Sequence, residues 1–228
     1  MPDDPAVVLV HGFASSFAHG WEHNGWTDLL ADTGRKIVPF DLPGHGESPV
    51  TTDPAAFADV EGTLAEAIAP HAPVDAVGFS TGARLLLGLA ADDPARLRRL
   101  VVIGVGDNLM RVEDREPLAR ALESGEGEVA AEDIGAQLFV RLARTAGNDP
   151  AALAAFLRRP ERPLTEDDLA RVACPVLVVL GDRDFSAPAD RLVAALPDAE
   201  LVMLRNVDHF AAPRDFDCID RSLAFIDV

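Results

Sequence analysis

Val74–Ala91 reads VDAVGFSTGARLLLGLAA, and its reading decides the fold. A largely apolar run leads into Gly78-Phe79-Ser80-Thr81-Gly82, and the Leu- and Ala-rich run Ala83–Ala91 follows. Strand, sharp turn and helix are expected in that order. Such a turn pushes its middle residue into a strained conformation and needs glycine where neighbouring backbone passes close. Ser80 then stands exposed at the carboxyl end of the strand. Directly behind it, the first N–H groups of the helix have no acceptor within it, so the turn offers a nucleophile and half of an anion site together.

Working outward, similar short apolar runs recur at Ala6–Val10, Lys36–Phe40, Leu100–Val105, Val176–Leu180 and Leu201–Leu204. VVLV, VVIGV and VLVVL are continuous rather than alternating, which marks strands covered on both faces. With helical patterns between them, the expectation is an α/β fold: a doubly wound, mostly parallel sheet of about six strands flanked by helices. Ligands of such sheets sit outside the carboxyl ends of the strands. Residues 1–106 and 174–228 form the expected core domain. The intervening 107–173 is expected as a small helical lid, with helices over Glu113–Glu123, Glu132–Ala146 and Asp149–Leu157, a fourth capped at Thr165, and a flexible, charged linker over 124–128. Ile134, Leu138 and Leu142 repeat every four residues and would roof the strand ends, or pack on the flank of the sheet. Asp53–Ala69 is expected as one helix with Asp53-Pro54 at its start, and Ala14–Asn24 as a long loop.

The 228 residues, 48 % of them hydrophobic, suffice for one domain with a sizeable core. Cys174 and Cys218 are isolated in sequence and expected as reduced core thiols. Twenty Lys plus Arg against 38 Asp plus Glu give a formal charge of −18. That field repels phosphate backbones and anionic membrane surfaces, so no nucleic-acid or membrane partner is expected, and neutral small molecules are favoured as substrates. The opening MPDDPAVVLV has no basic run and too short an apolar one for a signal peptide or span, from which a cytoplasmic address is expected.

A serine needs a base within hydrogen-bond reach and a third group to orient that base. Gly181-Asp182-Arg183-Asp184 follows one strand and Asn206-Val207-Asp208-His209 follows the last. The order Ser80, Asp184, His209 is that of a nucleophile elbow preceding its acid and base. Asp182, Asp208 and Asp107 compete with Asp184 for the acid role. Among the remaining histidines, His11 is expected to shape its turn, His45 to hydrogen-bond within its Gly-rich turn, and His71 to end a surface helix. His19-Gly-Trp-Glu-His23 matches the H-x-x-E-H zinc pattern, which requires both histidines on one helix face; Gly20 and Asn24-Gly25 argue for loop instead, so no metal and no cofactor are expected.

His11-Gly12-Phe13, Asp41–Ser48 (DLPGHGES), the GFSTG turn, Gly181–Asp184 and Asp208-His209 together resemble the α/β-hydrolase fold superfamily, over residues 7 to 209. The resemblance implies Ser80 as nucleophile, His209 as base then acid, Asp184 as its orienter, and the backbone N–H groups of Phe13 and Thr81 as an oxyanion hole. It implies a carboxylesterase-like hydrolase of small to medium neutral esters, acting through an acyl-enzyme. Thioester, lactone or C–C bond hydrolysis, perhydrolysis, and non-catalytic ligand binding are alternatives on the same scaffold. Two departures from the family pattern are Ala83, where many relatives carry a second glycine, and a start directly on the HGF strand without the usual leading hairpin.

Overall fold

The computed structural model describes residues 5–125 and 133–227. Among these, β1 (Val7–Val10), β2 (Ile37–Phe40), β3 (Val74–Phe79), β4 (Leu97–Ile103), β5 (Val176–Gly181) and β6 (Ala199–Leu204) form a 6-stranded sheet ordered β2-β1-β3-β4-β5-β6, all pairs parallel. The order reverses between β1 and β3, which makes the crevice at their carboxyl ends the switch point where ligands of such sheets bind. The loops carrying Phe13 and Ser80 leave from those two strands.

The helices are α1 (Trp26–Asp32), α2 (Val60–Ile68), α3 (Thr81–Asp92), α4 (Glu116–Ser124), α5 (Ile134–Thr145), α6 (Pro150–Leu157), α7 (Glu166–Leu169), α8 (Asp190–Ala195) and α9 (Phe216–Ile226). Side chains alternate across a strand: Val8 and Val10 enter the core formed with α2 to α8, whereas Val7 and Leu9 enter the one formed with α1 and α9. Cover on both faces is why the strands read as unbroken apolar runs. Cys174 and Cys218 are free and buried, and burial pushes their thiols up to about 11 and about 12. No helix among the described residues is long and apolar enough to cross a membrane.

Four expectations change. The helix over Asp53–Ala69 is two pieces, a 3-10 turn Pro54–Phe57 and then α2, because the Asp59 side chain accepts from the Gly62 amide at 2.8 Å and starts a new N-terminus. β4 begins at Leu97, before the apolar run: Arg98 donates to Asp75 and to the Ile226 carbonyl, both at 2.6 Å, and the Arg99 guanidinium lies 5.3 Å over the Phe225 ring. Charged residues therefore extend the strand by pairing with β3 and α9. Ala18–Glu22, expected as loop, is a π-helical turn closed by the Asn24 side chain, which donates to the Gly20 carbonyl at 2.8 Å. In α5 the buried positions are Ala136, Val140 and Ala143, while Ile134 is 66 % exposed. Leu138 and Leu142 instead line a cleft of about 380 Å³ opposite His19 and Trp21. The expected linker lies, from residue 126 onward, outside the described residues.

Candidate active site

Ser80 occupies the turn between β3 and α3 with φ 52° and ψ −114°, a left-handed region that a non-glycine residue enters only under constraint. The constraint is visible on both sides. A Cβ on Gly82 would stand 2.2 Å from the Val10 carbonyl, and one on Gly78 would stand 2.7 Å from the Ala83 backbone. Only glycine lets α3 press against β1 and β3. Ala83 is itself fully buried, so its methyl is accommodated in the core.

Two further strand ends bring the partners. The loop after β5 and the loop after β6 are tied together, with the Arg183 amide donating to the Val207 carbonyl at 3.1 Å and the Asp182 amide to the Leu204 carbonyl at 2.9 Å. The His209 ring lies with Nε2 3.1 Å from Ser80 Oγ and Nδ1 3.0 Å from each oxygen of Asp184. His209 and Asp184 are buried, and Asp184 Oδ1 also accepts from the Ser186 amide at 2.8 Å. The three rival carboxylates are engaged elsewhere. Asp107 accepts from the Arg191 and Leu192 amides at the start of α8, Asp182 from the Asn206 amide, and Asp208 from the Ala211 amide. Sequence order alone had left Asp107 open.

Aromatic rings frame the imidazole. Phe185, 64 % exposed, lies 4.2 Å from it between centroids, and Phe79 lies 4.9 Å away. Ser80, Phe13 and Thr81 share a cavity of about 160 Å³ with Phe139 of α5 and Phe156 of α6. Among the described residues, neither the Phe13 nor the Thr81 amide donates to another group.

The Phe13 loop is held from three directions. His11 Nε2 lies 3.1 Å from the Leu42 amide and 3.3 Å from Asp41 Oδ1, and its Nδ1 lies 2.8 Å from the Gly12 carbonyl. Asp41 accepts from the Phe17 and Glu47 amides. Burial would raise this carboxyl, but the bonds from His11, Glu47 and Phe17 pull it down to about 2. Asn148, between α5 and α6, donates to the Ala14 and Ser15 carbonyls at 2.9 Å each and accepts from the Gly46 amide at 2.8 Å. Ala14 has φ 63°, so these bonds fix a strained residue next to Phe13. Sequence reading missed Asn148 and Phe185, for which residue type alone gives no signal. His45 hydrogen-bonds to the Pro43 carbonyl within its own turn, as expected. His71 ends a short 3-10 turn. His19 and His23 lie on one helical turn with centroids 6.0 Å apart, and the described residues bring no third His, Cys, Asp or Glu into a group that could hold a metal.

The family model for the alpha/beta hydrolase family matches residues 7–217. A 2-succinyl-6-hydroxy-2,4-cyclohexadiene-1-carboxylate synthase of Escherichia coli is 34 % identical over 122 residues, covering 53 % of this chain and 46 % of the relative. A pyrrolizixenacetamide deacetylase of Xenorhabdus hominickii is 32 % identical over 111 residues, 44 % of this chain and 37 % of the relative. The matched chain thus spans about half or less of the length of these curated relatives. Among solved structures, 2-hydroxy-6-oxo-6-phenylhexa-2,4-dienoate hydrolase of Rhodococcus sp. strain RHA1 superposes with a TM-score of 0.71 at 22 % identity, covering 98 % of this chain and 90 % of that one. A thermophilic esterase of Thermogutta terrifontis does so with 0.70 at 19 %, covering 97 % and 89 %. At such identities the likeness speaks for the fold.

Proposed function

The chain belongs to the alpha/beta hydrolase family, and from that premise we propose that it is a serine hydrolase cleaving carboxylic esters with small to medium acyl groups. The observation that carries this reading is the relay from Ser80 Oγ through the His209 imidazole to Asp184, with spacings of 3.1 and 3.0 Å. In the proposed mechanism His209 Nε2 takes the Ser80 proton as Oγ attacks the ester carbonyl. The resulting oxyanion accepts from the Phe13 and Thr81 amides. The imidazolium, held in place by Asp184, then returns its proton to the departing alkoxide, leaving an acyl-enzyme. Water attacks the acyl carbon as His209 takes its proton, and the returned proton restores Ser80. Residues 107–173 act as a lid in this reading, supported by the Leu118, Phe139, Phe156 and Leu157 side chains that they contribute to the wall of the Ser80 cavity.

Short-chain 4-nitrophenyl esters and a fluorophosphonate label test the reading together. Hydrolysis is expected to fall by at least about 10⁴-fold in Ser80→Ala, since removing such a nucleophile disables the whole unit, and labelling should vanish with it. Equal activity in the variant would exclude Ser80 as the nucleophile. Thioesters and lactones run in parallel rank the alternatives that the same relay could serve.

A further inference from the structure

Arg84, Arg115 and Arg159 all line the cavity that contains Ser80, and all three converge on one carboxylate, Glu161. Arg84 stands one helical turn beyond the nucleophile on α3, Arg115 immediately precedes α4, and Arg159 follows α6. Glu161 Oε1 meets nitrogens of Arg84 and Arg115, and Oε2 meets nitrogens of Arg115 and Arg159. A carboxylate offers about four lone-pair sites and each guanidinium five N–H donors. Glu161 is therefore filled while donors remain. Further protein bonds account for few of them: Arg159 donates to the Phe156 carbonyl at 2.8 Å, and Arg84 to that of Arg162.

Charge is also out of balance at this wall. Among the residues that line the cavity, three guanidiniums stand against one carboxylate, Glu113, in a chain of formal charge −18, while Glu161 and Glu61 lie outside its lining. A local field of this kind outweighs the net charge for any ligand inside the cavity. Burial lowers the Arg159 guanidinium to about 10, against the opposing effect of the Glu161 carboxylate. A second anion would relieve that cost. Leu118, Phe139 and Leu157 of the same cavity supply apolar wall suited to methylenes.

We infer that this cavity takes an acyl group ending in a carboxylate, the half-ester of a dicarboxylic acid, with its free carboxylate held by Arg84, Arg115 and Arg159. The inference rests on the hydrolase reading of Ser80. It replaces the neutral substrate expected from overall charge by one selected by the pocket.

The test compares 4-nitrophenyl hydrogen adipate with its neutral methyl ester, following 4-nitrophenolate release above the spontaneous rate. The wild-type protein is expected to favour the half-ester in kcat/KM by about 10- to 100-fold, the scale of charge-assisted hydrogen bonds. That ratio should drop at least about tenfold in Arg115→Gln and in Arg84→Gln, each checked for an unchanged melting transition. Equal kcat/KM for the two esters, with release abolished in Ser80→Ala, would overturn the anion subsite and leave the hydrolase reading standing. A preference that survives in both arginine variants would overturn its assignment to these residues. No Ser80-dependent release from either ester would overturn the hydrolase reading and this one with it.

Discussion

An imidazole can serve as a base toward Ser80 only if its other nitrogen is held as a donor, and at residue scale the candidate site turns on which carboxylate does this. Asp184 is the one placed for it: both oxygens lie 3.0 Å from Nδ1, and burial of both groups keeps water from competing. Asp184→Asn preserves shape but presents an amide that can leave the ring in the wrong tautomer. Its kcat on 4-nitrophenyl acetate is expected to fall by roughly 10³–10⁴-fold, with folding intact by circular dichroism. A loss below about tenfold would mean that another group orients the ring. The Ser80 and His209 positions were legible in the sequence because a G-x-S-x-G turn and a downstream Asp-His pair each follow an apolar run. What separates Asp184 from Asp107 was not legible, since it depends on α8 reaching back so that its first amides occupy Asp107.

At the scale of elements, strands were the easiest to read because cover on both faces leaves continuous apolar sequence. Breaks within helices were the hardest. The restart at α2 and the π-helical turn at Ala18–Glu22 are each decided by one side-chain cap, from Asp59 and Asn24, against a local pattern that pointed elsewhere. Helix α8, at 6 residues, is too short to show a periodic stripe. The same dependence on single side chains governs the Phe13 loop. Asn148 joins the α5–α6 connection to the turns after β1 and β2 through three hydrogen bonds, and no residue adjacent in sequence could replace it. Asn148→Ala leaves the buried Ala14 and Ser15 carbonyls without a partner and frees the part-exposed Gly46 amide, costing about 1–3 kcal/mol of stability. If Asn148 positions the oxyanion donors, kcat should drop by roughly 10- to 100-fold while KM changes by less than about threefold, because only the transition state needs those amides aligned. A variant that loses stability but keeps kcat would assign Asn148 a purely structural role.

For the molecule as a whole, the wall behind the site couples folding to acidity. His45 is fully buried against Phe156 and Phe13, with ring centroids at 4.9 and 5.5 Å. One nitrogen faces the Pro43 carbonyl at 3.0 Å, and Nε2 has no partner among the described residues. Burial chiefly, and then the charge of His11, push its pKa down to about 3. The folded protein therefore keeps His45 neutral, whereas the unfolded chain takes up a proton below about pH 6.5. The sign follows: this contribution to stability is fully present above that value and is lost as pH falls toward 3, at up to about 1.4 kcal/mol per pH unit. Glu161, held at about 2 by its arginines against the opposing effect of burial, adds a loss of the same sign only below about pH 4.5. Urea unfolding between pH 7 and 5 separates the histidines from the carboxylates; His19, lowered first by burial, adds a loss of the same sign there, so His45 is read from the difference between wild type and variant. His45 should contribute about 2 kcal/mol of the wild-type loss over that range, and His45→Gln, whatever its own stability, should lose less by most of that amount. Parallel slopes in the two proteins would mean that His45 accepts its proton in the folded state, and that the packing around Phe156 and Phe13 opens to water well before the chain unfolds.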